Sequence, residues 1–343
     1  MRRWQTELER LSMQNKLSAI LNRIGIANRP LRILTLPTHE GYQSLLDKTG
    51  HTFYMLTGAN IKGWDHHTRK LPPNHILLPC DMQTGNCLMP PSFDLVLCQN
   101  RQYFEMMNRI AMDFGVPIIT LDHTEPPPGL KPSQLEGWRN ARAATAVYIT
   151  EHNKISCNGK ETDVVIPHGI DTDVFAGYTG TNKEVISVVN HYKAREVFCG
   201  YSIWEKVTKL GVPTKVIGEN PGWTKSINNP VELAQTLGNA RVYLNTSLYS
   251  PVPLSMLEAM SVGLPVVTTA KQEIPKIIQH GVNGYLSNDP VELAEYCTEL
   301  LNNPEHARKI GENARQTVLD KFSLTQFTQN WNKVLYKTVE EYR

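Results

Sequence analysis

Residues 241–269 read RVYLNTSLYSPVPLSMLEAMSVGLPVVTT. Val242-Tyr243-Leu244 is an apolar run of strand length. A loop with two prolines, Ser250-Pro251-Val252-Pro253, follows it, and Leu254–Met260 then carries strong helix formers. Gly263 stops that helix, Pro265 stands just beyond, and Val266-Val267-Thr268-Thr269 is a second β-branched run. Strand, loop, helix and strand in this order predict one βαβ unit of a parallel sheet. The helix can begin near Pro253, which suits a first turn, or near Ser255. Either start turns unpaired backbone N–H groups and the positive end of the helix dipole toward the loop. At the carboxyl edge of a parallel sheet such an end is an anion site. Glu258, one turn deeper, is placed to accept hydrogen bonds from sugar hydroxyls. An ordinary buried helix with Glu258 as a surface charge satisfies the same pattern.

The 343 residues leave room for two domains with sizeable cores. Apolar residues make up 41% and charged residues 20%, the balance of a soluble globular chain. A net charge of +2 gives no argument of its own for nucleic acid. No apolar run reaches the roughly 18 residues of a membrane span, and the amino terminus lacks the apolar core of a secretory signal. The six cysteines contain no C-x-x-C pair and several lie in apolar runs. They are expected to be reduced core residues of a cytoplasmic protein, with no metal site.

Strands alternate with helices throughout both halves, which predicts an α/β fold with doubly wound parallel sheets. Residues 1–28 show helical spacing of Trp4, Leu8, Leu11, Leu17, Ile20, Leu21 and Ile24 among basic residues. That helix either packs on the protein itself or makes peripheral contact with a membrane. Strands are expected at Leu31–Leu36, Thr52–Leu56, Ile76–Leu78, Phe93–Cys98, Val116–Leu121 and Ala146–Thr150. In the second half they are expected at Glu184–Val189 and Pro213–Ile217. Helices are expected at 102–114, 134–144, 231–238, 290–302, 305–320 and 325–342. The strand before Asp122 delivers His123 at its carboxyl end, where α/β sheets bind ligands.

Leu254, Leu257-Glu258-Ala259-Met260, Gly263-Leu264-Pro265-Val266-Val267, Glu273-Ile274-Pro275 and Gly281-Val282-Asn283-Gly284 together resemble the donor-binding segment of retaining GT-B glycosyltransferases of the family-4 type. His168-Gly169-Ile170-Asp171 through Phe175 resembles the linker of that family. The resemblance implies two Rossmann-like domains facing a cleft. Residues 1–168 would be the acceptor side and 169–324 would bind a nucleotide-sugar donor such as a UDP-sugar, with no cofactor or metal required. The helix 325–343 would cross back onto the first domain. It further implies that Lys193 and Arg195, Gly218, Pro253 and Leu254 hold the donor and that Glu258 takes ribose hydroxyls. His123 and Ser250 would meet the donor sugar, and His39, Glu40, Tyr42 and Trp64 the acceptor. The chain departs from the pattern at Ser250, where the family has a glutamate, and at Asn190-His191, where it has Gly-Arg.

Taken whole, and especially around Thr38-His39-Glu40 and Asp122–Pro127, the chain resembles compact GT-B proteins carried by tailed phages. That likeness implies a sugar transferred to a 5-hydroxymethylated pyrimidine of double-stranded DNA in a host cytoplasm, with Lys62, Trp64, Arg69 and Lys70 guiding a flipped base. The alternatives are synthesis of a surface polysaccharide or lipid-linked glycan, or a nucleotide-sugar binding protein without catalysis.

Overall fold

The structure is a computed structural model that describes residues 29–58, 60–81 and 86–342, so the amphipathic segment 1–28 lies outside the described residues. The first sheet contains β1 (Arg32–Thr35), β2 (Thr52–Thr57), β3 (His75–Asp81), β4 (Asn86–Cys87), β5 (Leu95–Cys98), β6 (Ile118–Asp122), β7 (Thr145–Tyr148) and β8 (Val164–Val165). Their order is β4-β3-β2-β1-β5-β6-β7-β8. All neighbours are parallel except β3 and β4. The second sheet is wholly parallel and contains β9 (Asn182–Val188), β10 (Thr214–Ile217), β11 (Ala240–Asn245), β12 (Val266–Thr268) and β13 (Tyr285–Leu286), in the order β10-β9-β11-β12-β13. The expected βαβ unit is therefore β11, the Leu254–Val262 helix and β12, closed by Gly263 in the left-handed conformation at φ 95°.

Strand order reverses between β1 and β5 in the first sheet and between β9 and β11 in the second. Connections diverge to opposite faces at such points and leave a crevice at the strand ends. The segments that leave β1, β5, β9 and β11 carry His39, Gln99, Asn190 and Ser250 respectively. Both crevices open onto one cleft between the domains.

The central strands β1, β5, β6, β7, β11 and β12 are buried on both faces, which is why they read as continuous apolar runs rather than alternating ones. The Leu254–Val262 helix is buried along its whole length. The Leu324–Glu341 helix returns to the first domain, where Phe327, Trp331 and Leu335 join Leu31, Ile33, Tyr42 and Leu46 in one core. Trp331 donates its Nε1–H to the Tyr42 hydroxyl at 2.9 Å, so that core also satisfies its polar atoms.

Two sequence expectations need correction. Cys80 and Cys87 face each other across the antiparallel β3–β4 pair and form a disulfide, whereas all six cysteines were expected to be reduced. The hairpin register places their Cα atoms 3.8 Å apart, a proximity that seven residues of separation do not announce. Cys98, Cys157, Cys199 and Cys297 are free and buried, as expected. The short helices Glu151–Ser156 and Tyr201–Lys209 were not anticipated.

Candidate functional site

The interdomain cleft has a volume of about 240 Å³. Its floor on the carboxyl-terminal side is the first turn of the Leu254–Val262 helix. Pro253 precedes that turn, no side chain caps it, and it contains no acidic residue. The first backbone acceptor is Pro253 O, which receives the N–H of Met256 and Leu257. Among the described residues the N–H groups of Leu254 and Ser255 therefore have no backbone partner. The uncompensated positive end of the helix dipole lies against the cleft. Ser255 locks this turn to the sheet: its Oγ donates to Val188 O at 3.1 Å and accepts from the Tyr243 hydroxyl at 2.9 Å.

Beside it, Gly218 ends β10 at φ 140°, and a Cβ there would lie 2.1 Å from Val189 O. Only glycine permits that approach of two backbones. Asn190 ties the same loops together by accepting from Glu219 N at 2.9 Å and Ser226 Oγ at 3.2 Å.

Glu258 lines the cleft and is buried. Burial pushes its carboxyl group above the usual carboxylate range, opposed by Arg69. The Arg69 Nη2 donates to Glu258 Oε1 at 2.8 Å, with both side chains nearly enclosed at 11% and 7% exposure. This pair joins the two domains. The sequence reading placed Arg69 among the groups guiding a flipped base and gave no sign that it meets a residue 189 positions away.

Arg69 is held by its own segment. The Trp64 indole donates to Arg69 O at 2.7 Å. Buried Glu40 accepts from Lys62 Nζ at 2.8 Å and from Asp65 N at 3.2 Å. Thr68 and His66 reach the second domain by accepting from Asn190 and Asn228.

Opposite the helix terminus stand His39 and His123, whose rings stack at 5.7 Å between centroids. His39 caps the Glu40–Leu46 helix, accepting the Tyr42 N–H on Nδ1 at 3.1 Å, and its ring also lines the cleft. The residue therefore both caps a helix and lines the cleft. His123 packs its ring edge against Tyr42 at 4.8 Å and bonds through Nε2 to Gln99 Oε1 at 3.0 Å. Burial holds it well below the ordinary histidine pKa, with further lowering by His39, His168 and Lys62.

The cleft thus brings together His39, His123, Arg195, Gly218, Ser250, Pro253, Leu254 and Glu258. Of the other anticipated residues it includes Arg69 but not Glu40, Tyr42, Lys62, Trp64, Lys70 or Lys193. The Lys193 ammonium stands over the rings of Tyr201 and Trp223, 5.3 and 5.4 Å from their centroids, outside the cleft lining. Tyr42 has no exposed surface and Trp64 is buried, so neither offers a face to an acceptor. Glu40 is spent on holding the 62–70 segment. Asp122, beside His123, is bound to Arg101 through two contacts of 2.6 and 2.7 Å and belongs to the scaffold. Sequence reasoning missed Gln99, His168 and Asn190, which act through partners distant in the chain. Among the described residues no helix is long and apolar enough to cross a membrane.

Comparison with known proteins bears on the fold and on the second half of the chain. Residues 183–317 match the sequence model of the family described as glycosyl transferases group 1. N-acetyl-alpha-D-glucosaminyl L-malate synthase of Bacillus anthracis is 26% identical over 48% of this chain and 48% of its own. MMP alpha-(1->4)-mannosyltransferase of Mycolicibacterium hassiacum is 28% identical over 52% and 47%. The chain spans about half the length of these curated relatives. Among solved structures, Anabaena HepE in complex with UDP and glucose superposes with a TM-score of 0.70 at 15% identity, over 89% of this chain and 99% of that one. Sucrose-phosphate synthase of Thermosynechococcus elongatus gives 0.69 at 14% identity, over 90% and 99%. The chain has the GT-B fold, and its residues 183–317 match the glycosyl transferases group 1.

Proposed function

We propose that this protein is a retaining glycosyltransferase that moves a sugar from a nucleotide-sugar donor, such as a UDP-sugar, to an acceptor hydroxyl, with residues 169–324 as the donor-binding half. One observation carries the reading: an uncapped, uncompensated helix N-terminus, with buried Glu258 one turn deeper, faces His123 of the other domain across a single cleft. A diphosphate fits the first feature. The N–H groups of Leu254 and Ser255 and the Arg195 guanidinium would hold its oxygens and stabilise the charge that develops on the leaving group. Glu258 would receive ribose hydroxyls once they displace Arg69. His123 and Ser250 would contact the sugar. The departing diphosphate would itself take the acceptor proton.

For the acceptor we favour a glycan or a small molecule. Lys62, Trp64 and Arg69, the groups that a flipped DNA base would require, are already bonded within the protein. The curated relatives are named as a glucosaminyl L-malate synthase and a mannosyltransferase, neither of them a name that mentions DNA. The test is a panel of nucleotide sugars incubated with glycan acceptors and, separately, with hydroxymethylated duplex DNA, read by mass spectrometry. Glu258→Ala serves as the control. Transfer lost in that variant supports the reading. Transfer to DNA alone would replace the acceptor class, and full turnover by Glu258→Ala would overturn the donor site.

A further inference from the structure

We propose that Gln99 is a positioning residue: it holds His123 as the Nε2–H tautomer and leaves Nδ1 as a hydrogen-bond acceptor for a hydroxyl of the ligand in the cleft. The inference deepens the glycosyltransferase reading and rests on it only for the nature of that ligand.

The assignment follows from counting protons along one buried chain. The Thr35 hydroxyl donates to Leu97 O at 2.7 Å, so its single proton is committed. The Thr35 Oγ can then only accept from its second neighbour, Gln99 Nε2, at 3.0 Å. The Gln99 amide nitrogen also reaches Gln43 Oε1 at 2.6 Å, which fixes the amide orientation a second time. The Gln43 nitrogen in turn meets His75 Nε2 at 2.8 Å, and His75 Nδ1 lies 3.5 Å from the Asp47 carboxylate. Each hydrogen-bonded link donates in the same sense, from Gln99 to Gln43 to His75. Gln99 has one atom left, Oε1, and it can only accept. It lies 3.0 Å from His123 Nε2, which must therefore carry the proton.

Burial keeps the ring neutral, so a proton on Nε2 leaves a lone pair on Nδ1. That atom is enclosed by protein and has no hydrogen-bond partner among the described residues, although the ring lines the cleft. A buried acceptor without a donor is an unfilled half of a hydrogen bond. The matching ligand group is a neutral donor, which a sugar hydroxyl supplies and a phosphate oxygen does not.

The test begins on the unaltered full chain. Histidine-labelled protein, with His123 assigned by its disappearance in His123→Ala, reports the tautomer through long-range nitrogen–proton NMR correlations. The expected result is Nε2–H with an unprotonated Nδ1 from pH 6 to pH 8. A proton on Nδ1, or rapid exchange between both tautomers, would overturn the assignment. Gln99→Leu should yield a tautomer mixture and lower kcat roughly tenfold to a hundredfold, with the Kd for UDP unchanged. Gln99→Leu that keeps the wild-type tautomer would show that Gln99 is not what sets it. If the ring is Nε2–H but His123→Ala transfers sugar at the wild-type rate, the tautomer assignment stands and the sugar contact in the proposed function falls.

Discussion

Replacing Arg69 by alanine tests whether the cleft removes Glu258 from water. In the structure the guanidinium is the only group bonded to that carboxylate among the described residues, at 2.8 Å. Deleting it leaves a buried, uncompensated charge, for which a loss of about 3–5 kcal/mol is expected. For a domain of this size that lowers Tm by on the order of 10 °C. The penalty has a definite dependence on pH. Burial already raises the Glu258 pKa, and without Arg69 it rises further. Over the window from the unfolded value of about 4.5 up to the raised value, the native variant holds a proton that the unfolded chain has released. Its stability therefore falls as pH rises through that window, and the difference from wild type shrinks as pH is lowered from 8 to 5.

The assay is urea unfolding of both proteins at pH 5, 6, 7 and 8. The double variant Arg69→Met/Glu258→Leu replaces the pair with apolar side chains and should recover to within about 1 kcal/mol of wild type. A single variant that loses less than about 1 kcal/mol, equally at pH 5 and pH 8, would mean that Glu258 is hydrated. The low-dielectric donor pocket proposed above would then not exist.

Glu258→Gln should weaken binding of UDP and of the UDP-sugar roughly tenfold to a hundredfold, since hydrogen bonds to a charged acceptor are lost; isothermal titration giving an unchanged Kd would remove Glu258 from the donor site. Buried His51 and His75 are pushed down to about 4 and buried His168 to about 3, chiefly by desolvation. As pH falls from 6.5 toward 4 the unfolded chain takes up protons that the native one refuses. Stability present above pH 6.5 should therefore drop by about 1.4 kcal/mol per pH unit for each histidine in that window; a Tm flat down to pH 4.5 would contradict their burial. Trp331→Ala should cost about 3–5 kcal/mol in urea unfolding, because the side chain is fully enclosed between the returning helix and the first sheet. Trp331→Phe should cost about 1–3 kcal/mol, mainly by leaving the Tyr42 hydroxyl without its donor.

The carboxyl-terminal half was legible because its features are local. The Leu254–Val262 helix, its Gly263 stop and the flanking strands lie within thirty residues, and their periodicity and punctuation are written consecutively. The uncapped helix terminus proposed to bind an anion needed no side-chain partner to be noticed, since it follows from where a helix begins. The amino-terminal half resisted. Glu40, Tyr42 and Trp64 have the chemistry of ligand contacts, yet each is turned inward by a partner that local sequence cannot name: Lys62 and Asp65, Trp331, and the Arg69 carbonyl. The Cys80–Cys87 disulfide was missed for the same reason, since register in the hairpin decides it and spacing does not.

The two halves of the cleft thus do their work with different groups, and this explains where substitutions are tolerated. On the carboxyl-terminal side the proposed donors are main-chain N–H groups, which no substitution except proline removes, and the side chains there mainly set backbone approach, as at Gly218 and Ser255. The loss of the family glutamate at Ser250 and of the family arginine near Asn190 leaves that helix terminus intact. On the amino-terminal side the decisive groups are side chains on separate elements: His39 and Gln43 from one helix and its cap, Arg69 from a long segment, Gln99 after β5 and His123 after β6. Each is fixed by hydrogen bonds to another of them or to the scaffold. Variation on the first side should tune the affinity for a nucleotide. On the second side a single change along the hydrogen-bonded chain from His75 to His123 should alter the proposed contact with the sugar.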